Sequence, residues 1–141
     1  MVGTQWSMKK KVVLVIGLAV FLPLVTIVPG LFWQLHEADS CLRNFGDELA
    51  RKDYAAAYRE TSPELRSVTD FTHFVSINQT LVVRTGGLES VHVSSSSVRR
   101  REGTWWATAD VEVIFNRGSL PFTFILKKQD QGWQIYSYQE Q

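Results

Sequence analysis

Apolar positions follow three different rhythms along the chain. From Val12 to Trp33 they run together, 22 residues without a charge. From Leu35 they recur at helical spacing: Leu35, Leu42, Phe45 and Leu49 predict an amphipathic helix over roughly 35–51. Asp53 is a good N-cap for a short helix carrying Tyr54, Ala55, Ala57 and Tyr58, and Ser62-Pro63 begins another turn in tandem, with proline where its missing N–H costs nothing. A third helix is expected from Thr69 or Asp70, its apolar face made by Phe71, Phe74, Val75 and Asn78 to Leu81, with Gly86-Gly87 ending the helical half.

After Gly87 the period drops to two, the mark of strands with one buried face. Val91, Val93, Ser95 and Ser97 alternate with polar neighbours, and four successive serines predict an exposed or edge strand. Arg99-Arg100-Arg101-Glu102-Gly103 is the turn. The next strand sets Trp105, Ala107, Ala109, Val111, Val113 and Phe115 on one face, against Thr108, Asp110, Glu112 and Asn116 on the other. Leu120, Phe122, Phe124 and Leu126 form a third apolar row, and in the last strand Trp133, Ile135 and Ser137 alternate with Gln134, Tyr136 and Tyr138. The expected fold class is α+β: an N-terminal single transmembrane helix, then three helices packed on a curved four-stranded antiparallel sheet.

The phrase Phe45-Gly46-Asp47-Glu48-Leu49-Ala50-Arg51-Lys52-Asp53-Tyr54-Ala55-Ala56-Ala57-Tyr58, followed by Thr61-Ser62-Pro63-Glu64-Leu65-Arg66 and Phe71-Thr72-His73-Phe74, resembles the NTF2-like (cystatin-like, α+β cone) superfamily. The likeness covers roughly residues 36 to 139 and its motifs are helix starts and apolar anchors. It implies a cone whose interior is filled by phenylalanines of the third helix. Small membrane-tethered members, similar to cytochrome oxidase assembly and import-channel subunits, imply an accessory or assembly role. Enzymes of the superfamily, such as ketosteroid isomerases and dehydratases, imply Asp, His or Tyr inside the cone, but a shared fold is not a shared activity.

Charge orients the apolar run. Three of the fifteen basic residues, Lys9 to Lys11, precede it and all fourteen acidic residues follow it, which leaves the part after Trp33 net negative by two. At about 1.5 Å per residue the run reaches roughly 33 Å, enough for a bilayer core and longer than a signal-peptide h-region; no small-x-small cleavage site follows. The positive-inside rule then gives residues 1–11 as a cytoplasmic tail, 12–33 as the transmembrane helix and 34–141 as an extracytoplasmic domain, most readily on the periplasmic side of a bacterial inner membrane. Small residues Gly17, Ala19 and Gly30 permit close helix contact in the bilayer. No basic face of phosphate-contacting density is present, so nucleic acid is not an expected partner.

Candidate chemistry is sparse. Cys41 is the lone cysteine, and His36, His73 and His92 have no second ligand at metal spacing, so neither a disulfide within the chain nor a metal or cofactor is expected. Asp110 and Glu112 fall opposite the apolar row. The aromatic richness is more telling: Trp106, Tyr136 and Tyr138 fall on the outward register of the sheet, and with Arg99, Arg100 and Arg101 they are candidates for binding a partner. Should the cone hold a ligand, Tyr58, His73, Phe74 and Trp105 are its candidate lining. The sequence thus points to a non-catalytic, membrane-anchored accessory subunit docked on a larger integral membrane complex, with a small apolar ligand-binding module or an isomerase-type enzyme as alternatives.

Overall fold

The computed structural model describes residues 30–141. The chain divides into two compact units, Met1–Gln34 and Leu35–Gln141. Of the first only residues 30–34 are described; they are helical, with Leu31, Phe32 and Trp33 exposed. All but the last four residues of the expected span Val12 to Trp33, including Gly17 and Ala19, lie outside the described residues. Among the described residues no helix is long and apolar enough to cross a membrane.

The second unit is α+β. Helix α1, whose described residues are 30–50, belongs to this unit from Leu35 onward and turns Ala38, Cys41, Leu42 and Phe45 inward at three- and four-residue steps. It stops where Lys52 takes a left-handed conformation (φ 59°). The Asp53 carboxylate then accepts from the Ala56 N–H and opens α2, Tyr54–Arg59. Ser62 caps α3, Pro63–Val68, and Asp70 caps α4, Phe71–Thr85, each side chain accepting a backbone N–H three residues on. The described residues therefore hold four helices rather than three, because Ser62-Pro63 begins a complete helix of its own. At Gly86 the backbone turns left-handed (φ 85°), a conformation glycine adopts without penalty, and its N–H closes on the Val82 carbonyl.

Four antiparallel strands follow as a meander in the order β1-β2-β3-β4: Leu88–Arg101, Thr104–Phe115, Gly118–Gln129 and Gly132–Glu140. One face carries Ala107, Ala109, Val111, Val113 and Phe115 of β2, Phe122, Phe124 and Leu126 of β3 and Ile135 of β4 into the core. Phe45 stands against that face. Its ring centroid lies 6.4 Å from Phe74, 6.2 Å from Phe124 and 5.8 Å from Tyr138, tying α1 to α4, β3 and β4.

Two strands break the simple alternation. In β1 the pairing slips between Val93 and Ser95, so that Ser95 and Ser97 move to the outer face, opposite Asp110 and Thr108, while Val98 pairs with Ala107 on the inner one. In β4 the pairing slips between Ile125 and Leu126, whose partners are Ser137 and Ile135, leaving Tyr136 as the extra residue of a bulge. Beyond it Tyr138 pairs with Phe124 and stacks on it at 5.4 Å. The expected outward register of Tyr138 is thereby reversed: it belongs to the core side.

Helix α1 approaches the sheet closely at Gly46. A Cβ there would lie 2.9 Å from both methyl carbons of Val91, a β-branched side chain held in one rotamer. Gly46→Ala is expected to lower stability by about 1–2 kcal/mol, because overpacking outweighs the roughly 1 kcal/mol that alanine adds to helix propensity. In thermal unfolding the pair Gly46→Ala with Val91→Ala should recover part of the loss of Gly46→Ala relative to Val91→Ala alone; strict additivity would refute the steric cause.

Candidate functional site

The two bulges give the outer face of the sheet a composition that strict alternation would not. Arg99 pairs across from Trp106 and Arg101 from Thr104, both on the outer face, whereas Arg100 sits opposite Trp105 on the inner register. Lys127 lies beside Trp106 on the next strand. Ser97, Arg99, Arg101, Trp106, Thr108, Ile125 and Tyr136 line one depression of about 570 Å3. Its floor is rigid. The Trp106 ring meets Tyr136 edge-on at 5.0 Å and takes the Lys127 ammonium 5.3 Å from its centroid.

Lys127 is held in turn by Glu64 of α3, Nζ to Oε1 at 2.9 Å, and the Gln129 amide donates to the same carboxylate. The hydrogen bond from Lys127 holds the Glu64 carboxyl well down, at about 2. Arg99, Arg100 and Arg101 are exposed and have no carboxylate partner among the described residues. Of the residues proposed to bind a partner, the structure brings together Arg99, Arg101, Trp106 and Tyr136. It places Arg100 on the other face of the strand and takes Tyr138 away.

The cone interior is different. A cavity of about 40 Å3 is lined by apolar side chains, among them Phe45, Leu49, Leu81, Val113, Phe115 and Phe122, with Tyr54, Asn78 and Tyr138 as its polar members. Burial raises the Tyr138 hydroxyl above its ordinary range. A separate groove of about 410 Å3 lies between α4 and the end of β4; it shares Asn78, Leu81, Phe122 and Tyr138 with the cavity lining, and Arg84 and Glu140 form an exposed ion pair on it.

None of the four residues expected to line a ligand site lines this cavity or this groove. Tyr58 donates its hydroxyl to the Thr69 carbonyl at 2.7 Å and packs on Phe71 and Phe74. His73 is exposed. Phe74 is 1% exposed and fills the core, while Phe71, expected beside it, is 43% exposed and covers Tyr58 from outside. Trp105 packs against the core from the far end of β2. The inward residues of α4 are instead Phe74, Asn78 and Thr85, so Asn78 is the polar group that the apolar pattern concealed.

A third cluster was not legible as chemistry in the sequence. Cys41 is buried and donates its thiol to the Trp133 carbonyl at 3.2 Å. Burial, and then the charges of Glu60 and Glu48, push the thiol up to about 12, which leaves no thiolate at neutral pH. Glu48 itself is raised, first by burial and then by Glu60 and Asp53, and one of its carboxylate oxygens is buried without a hydrogen bond. Among the described residues no group of His, Cys, Asp and Glu is arranged to hold a metal ion.

No family model matches the chain, and no curated protein matches it. Solved structures do. A Campylobacter jejuni protein described as a "putative NTF2-like transpeptidase" superposes with a TM-score of 0.52 at 19% identity, over 70% of this chain and 96% of that one. An NTF2 variant designated Rd1NTF2_05, bearing five substitutions, gives 0.51 at 13% identity, over 75% of this chain and 98% of its own. The fold is NTF2-like.

Glu48 supplies a pH test with a definite sign. Its folded pKa lies above the unfolded value, so the folded state favours the protonated form; that stabilisation is complete below the unfolded pKa of about 4.5 and is lost as pH rises through the folded one. Glu48→Gln is therefore expected to raise the melting temperature at pH 7 and to leave it nearly unchanged at pH 4. Equal shifts at the two pH values would refute the account.

Proposed function

We propose that this chain is a membrane-anchored, non-catalytic accessory or assembly subunit of a larger membrane protein complex, and that its extracytoplasmic domain docks through the outer face of the sheet. The observation that carries the reading is the depression built by Trp106, Tyr136, Arg99 and Arg101. An aromatic floor beside cations that have no carboxylate partner among the described residues is the composition of a protein-binding centre. Tryptophan, tyrosine and arginine are the residue types that most often carry interface energy, and here the first two are already fixed in place.

The anchor is read from the uncharged run Val12 to Trp33 and the lysines before it. Tethering to the bilayer raises the effective concentration of the domain for a membrane partner, so a modest interface is enough. Likeness to cytochrome oxidase assembly and import-channel subunits belongs to the same proposal and rests on the local phrases around Asp53-Tyr54 and Ser62-Pro63.

The cone supports this reading by how little it offers. Its cavity is about 40 Å3, its lining is almost wholly apolar, and His73 and Tyr58 are elsewhere. The transpeptidase wording attached to the Campylobacter jejuni structure comes to this chain as a hypothesis only, and the buried Cys41 thiol, raised to about 12, is a poor nucleophile for it. A second reading, a small apolar molecule held in the cone, is favoured by one feature: the 410 Å3 groove between α4 and β4 shares Asn78, Leu81, Phe122 and Tyr138 with the cavity lining.

Extraction of the tagged full-length protein in mild detergent, followed by native electrophoresis and mass spectrometry, tests the first reading. A stoichiometric membrane complex is expected to accompany the wild type and to be depleted at least tenfold by Trp106→Ala, with the melting temperature changed little because the ring is partly exposed. Recovery of the wild type alone, or a complex indifferent to Trp106, would defeat the reading and turn attention to the cone.

A further inference from the structure

The two edges of the sheet are treated differently. At β4 the chain covers its own edge: the Ser62 N–H donates to the Ile135 carbonyl and the Ile135 N–H to the Glu60 carbonyl, both at 2.8 Å, forming a short parallel bridge. At β1 nothing comparable occurs. Its 14 residues pair with β2 on one side, and among the described residues no other segment pairs with the second side. Beyond the bulge at Ser94, residues 95 to 101 run in unbroken register from Ser95 opposite Asp110 to Arg101 opposite Thr104. A row of unsatisfied N–H and C=O groups seven residues long is a template for another strand.

That template is selective. Folded proteins discourage indiscriminate pairing by placing like charges along an edge, and here every charge on residues 95–101 is positive. Arg99 and Arg101 project to the outer face and Arg100 to the inner, none with a carboxylate partner among the described residues. An incoming strand repeats the same alternation. Residues i and i+2 on it lie about 7 Å apart on one face, the spacing of Arg99 and Arg101, and cross-strand neighbours come within about 5.5 Å at Cβ. Carboxylates at those positions meet the guanidinium groups directly, while a neutral strand would leave the arginines of β1 uncompensated and a basic one would add like charge to them.

We propose that the partner presents an acidic, extended segment that adds to the free edge of β1 as a fifth strand, its carboxylates on one face opposite Arg99 and Arg101. Main-chain hydrogen bonds supply the pairing and the arginines select the sequence. Ser97 is small and stands at the rim of the 570 Å3 depression, so a large side chain opposite it reaches over the serine to Trp106 and Tyr136. The proposal rests on the docking reading above and names the chemistry of the partner.

Fluorescence anisotropy with purified full-length protein in mild detergent tests it. The probe is a fluorescein-labelled octapeptide of alternating glutamate and valine; the controls replace glutamate by lysine, or methylate alternate backbone nitrogens so that one edge loses its donors. Saturable binding of the glutamate peptide is expected, with at least a tenfold loss for the double variant Arg99→Glu with Arg101→Glu, a similar loss on N-methylation at the pairing edge, and none bound for the lysine peptide. Both arginines are exposed, so an unchanged melting temperature certifies the double variant as folded. Failure of the glutamate peptide to bind, binding unaffected by the arginine changes, or tolerance of N-methylation on both edges alike would each overturn strand addition. A dimer by light scattering that cross-links through Ser96→Cys would also overturn it, since the edge would then serve a second copy. Should the native complex survive the double variant yet be lost with Trp106→Ala, docking stands and strand addition falls.

Discussion

Everything in the domain is arranged around one ring. Phe45 projects from α1 into the inner face of the sheet and touches Phe74, Phe124 and Tyr138, so a single side chain couples two helices to two strands. For the ring to reach that depth α1 must lie close to β1, and the residue following Phe45 has to be glycine because Val91 occupies the space a Cβ would need. A helix so close to the sheet leaves little void beneath it. The cone that this architecture encloses is accordingly reduced to about 40 Å3, and its polar complement to Asn78 and two tyrosines, Tyr54 and Tyr138. Deep packing of Phe45 and a roomy internal site are mutually exclusive, and the sequence has taken the first.

Where function can reside then depends on two inserted residues. Along a strand, each extra residue exchanges the faces of all that follow. The bulge near Ser94 transfers Arg99 and Arg101 to the outer face; without it they would continue the row of Val91 and Val93 toward the core, where unpaired guanidinium groups would be costly. The bulge at Tyr136 acts in the opposite sense, keeping Tyr136 outside against Trp106 and returning Tyr138 to the interior against Phe124. Both lie on the outermost strands of the sheet, β1 and β4. The arginine side of the outer depression exists because of the bulge in β1, and the bulge in β4 removes Tyr138 from it.

This also explains what could be read from the sequence. Helix starts were legible because their chemistry is local: Asp53, Ser62 and Asp70 each cap through a side chain three residues from its partner. The central strands were legible because Ala107 to Phe115 and Phe122 to Leu126 keep period two without interruption. Tyr138 and the outer position of Ser95 and Ser97 were not, since a bulge depends on pairing with a distant strand and leaves no local signature. The cone lining failed for a related reason. An aromatic or a histidine on a helix announces an apolar face or a titratable group, but the rotation of α4 is set by Phe74 meeting Phe45, and that contact turns His73 to solvent and Asn78 inward. Trp106 with Tyr136 was found because both stand before any slip in their strands takes effect.

The outer face divides its labour between charge and apolar area. Exposed arginines gain little in equilibrium affinity, because water screens them and their side chains lose freedom on pairing; what they change is the encounter rate and the choice of partner. Trp106 contributes in the other direction. Its ring, braced by Tyr136 and by the Lys127–Glu64 pair, has surrendered its rotational freedom before any partner arrives, so that burying it slows dissociation at small entropic cost. The brace has an electrostatic limit. The Glu64 carboxyl is held down to about 2 by Lys127, so the stabilisation it adds is full above the unfolded pKa of about 4.5 and fades as pH falls from there toward 2. At neutral pH the support for Trp106 is therefore constant, and ionic strength, acting on Arg99 and Arg101, is the variable to which docking through this face should respond.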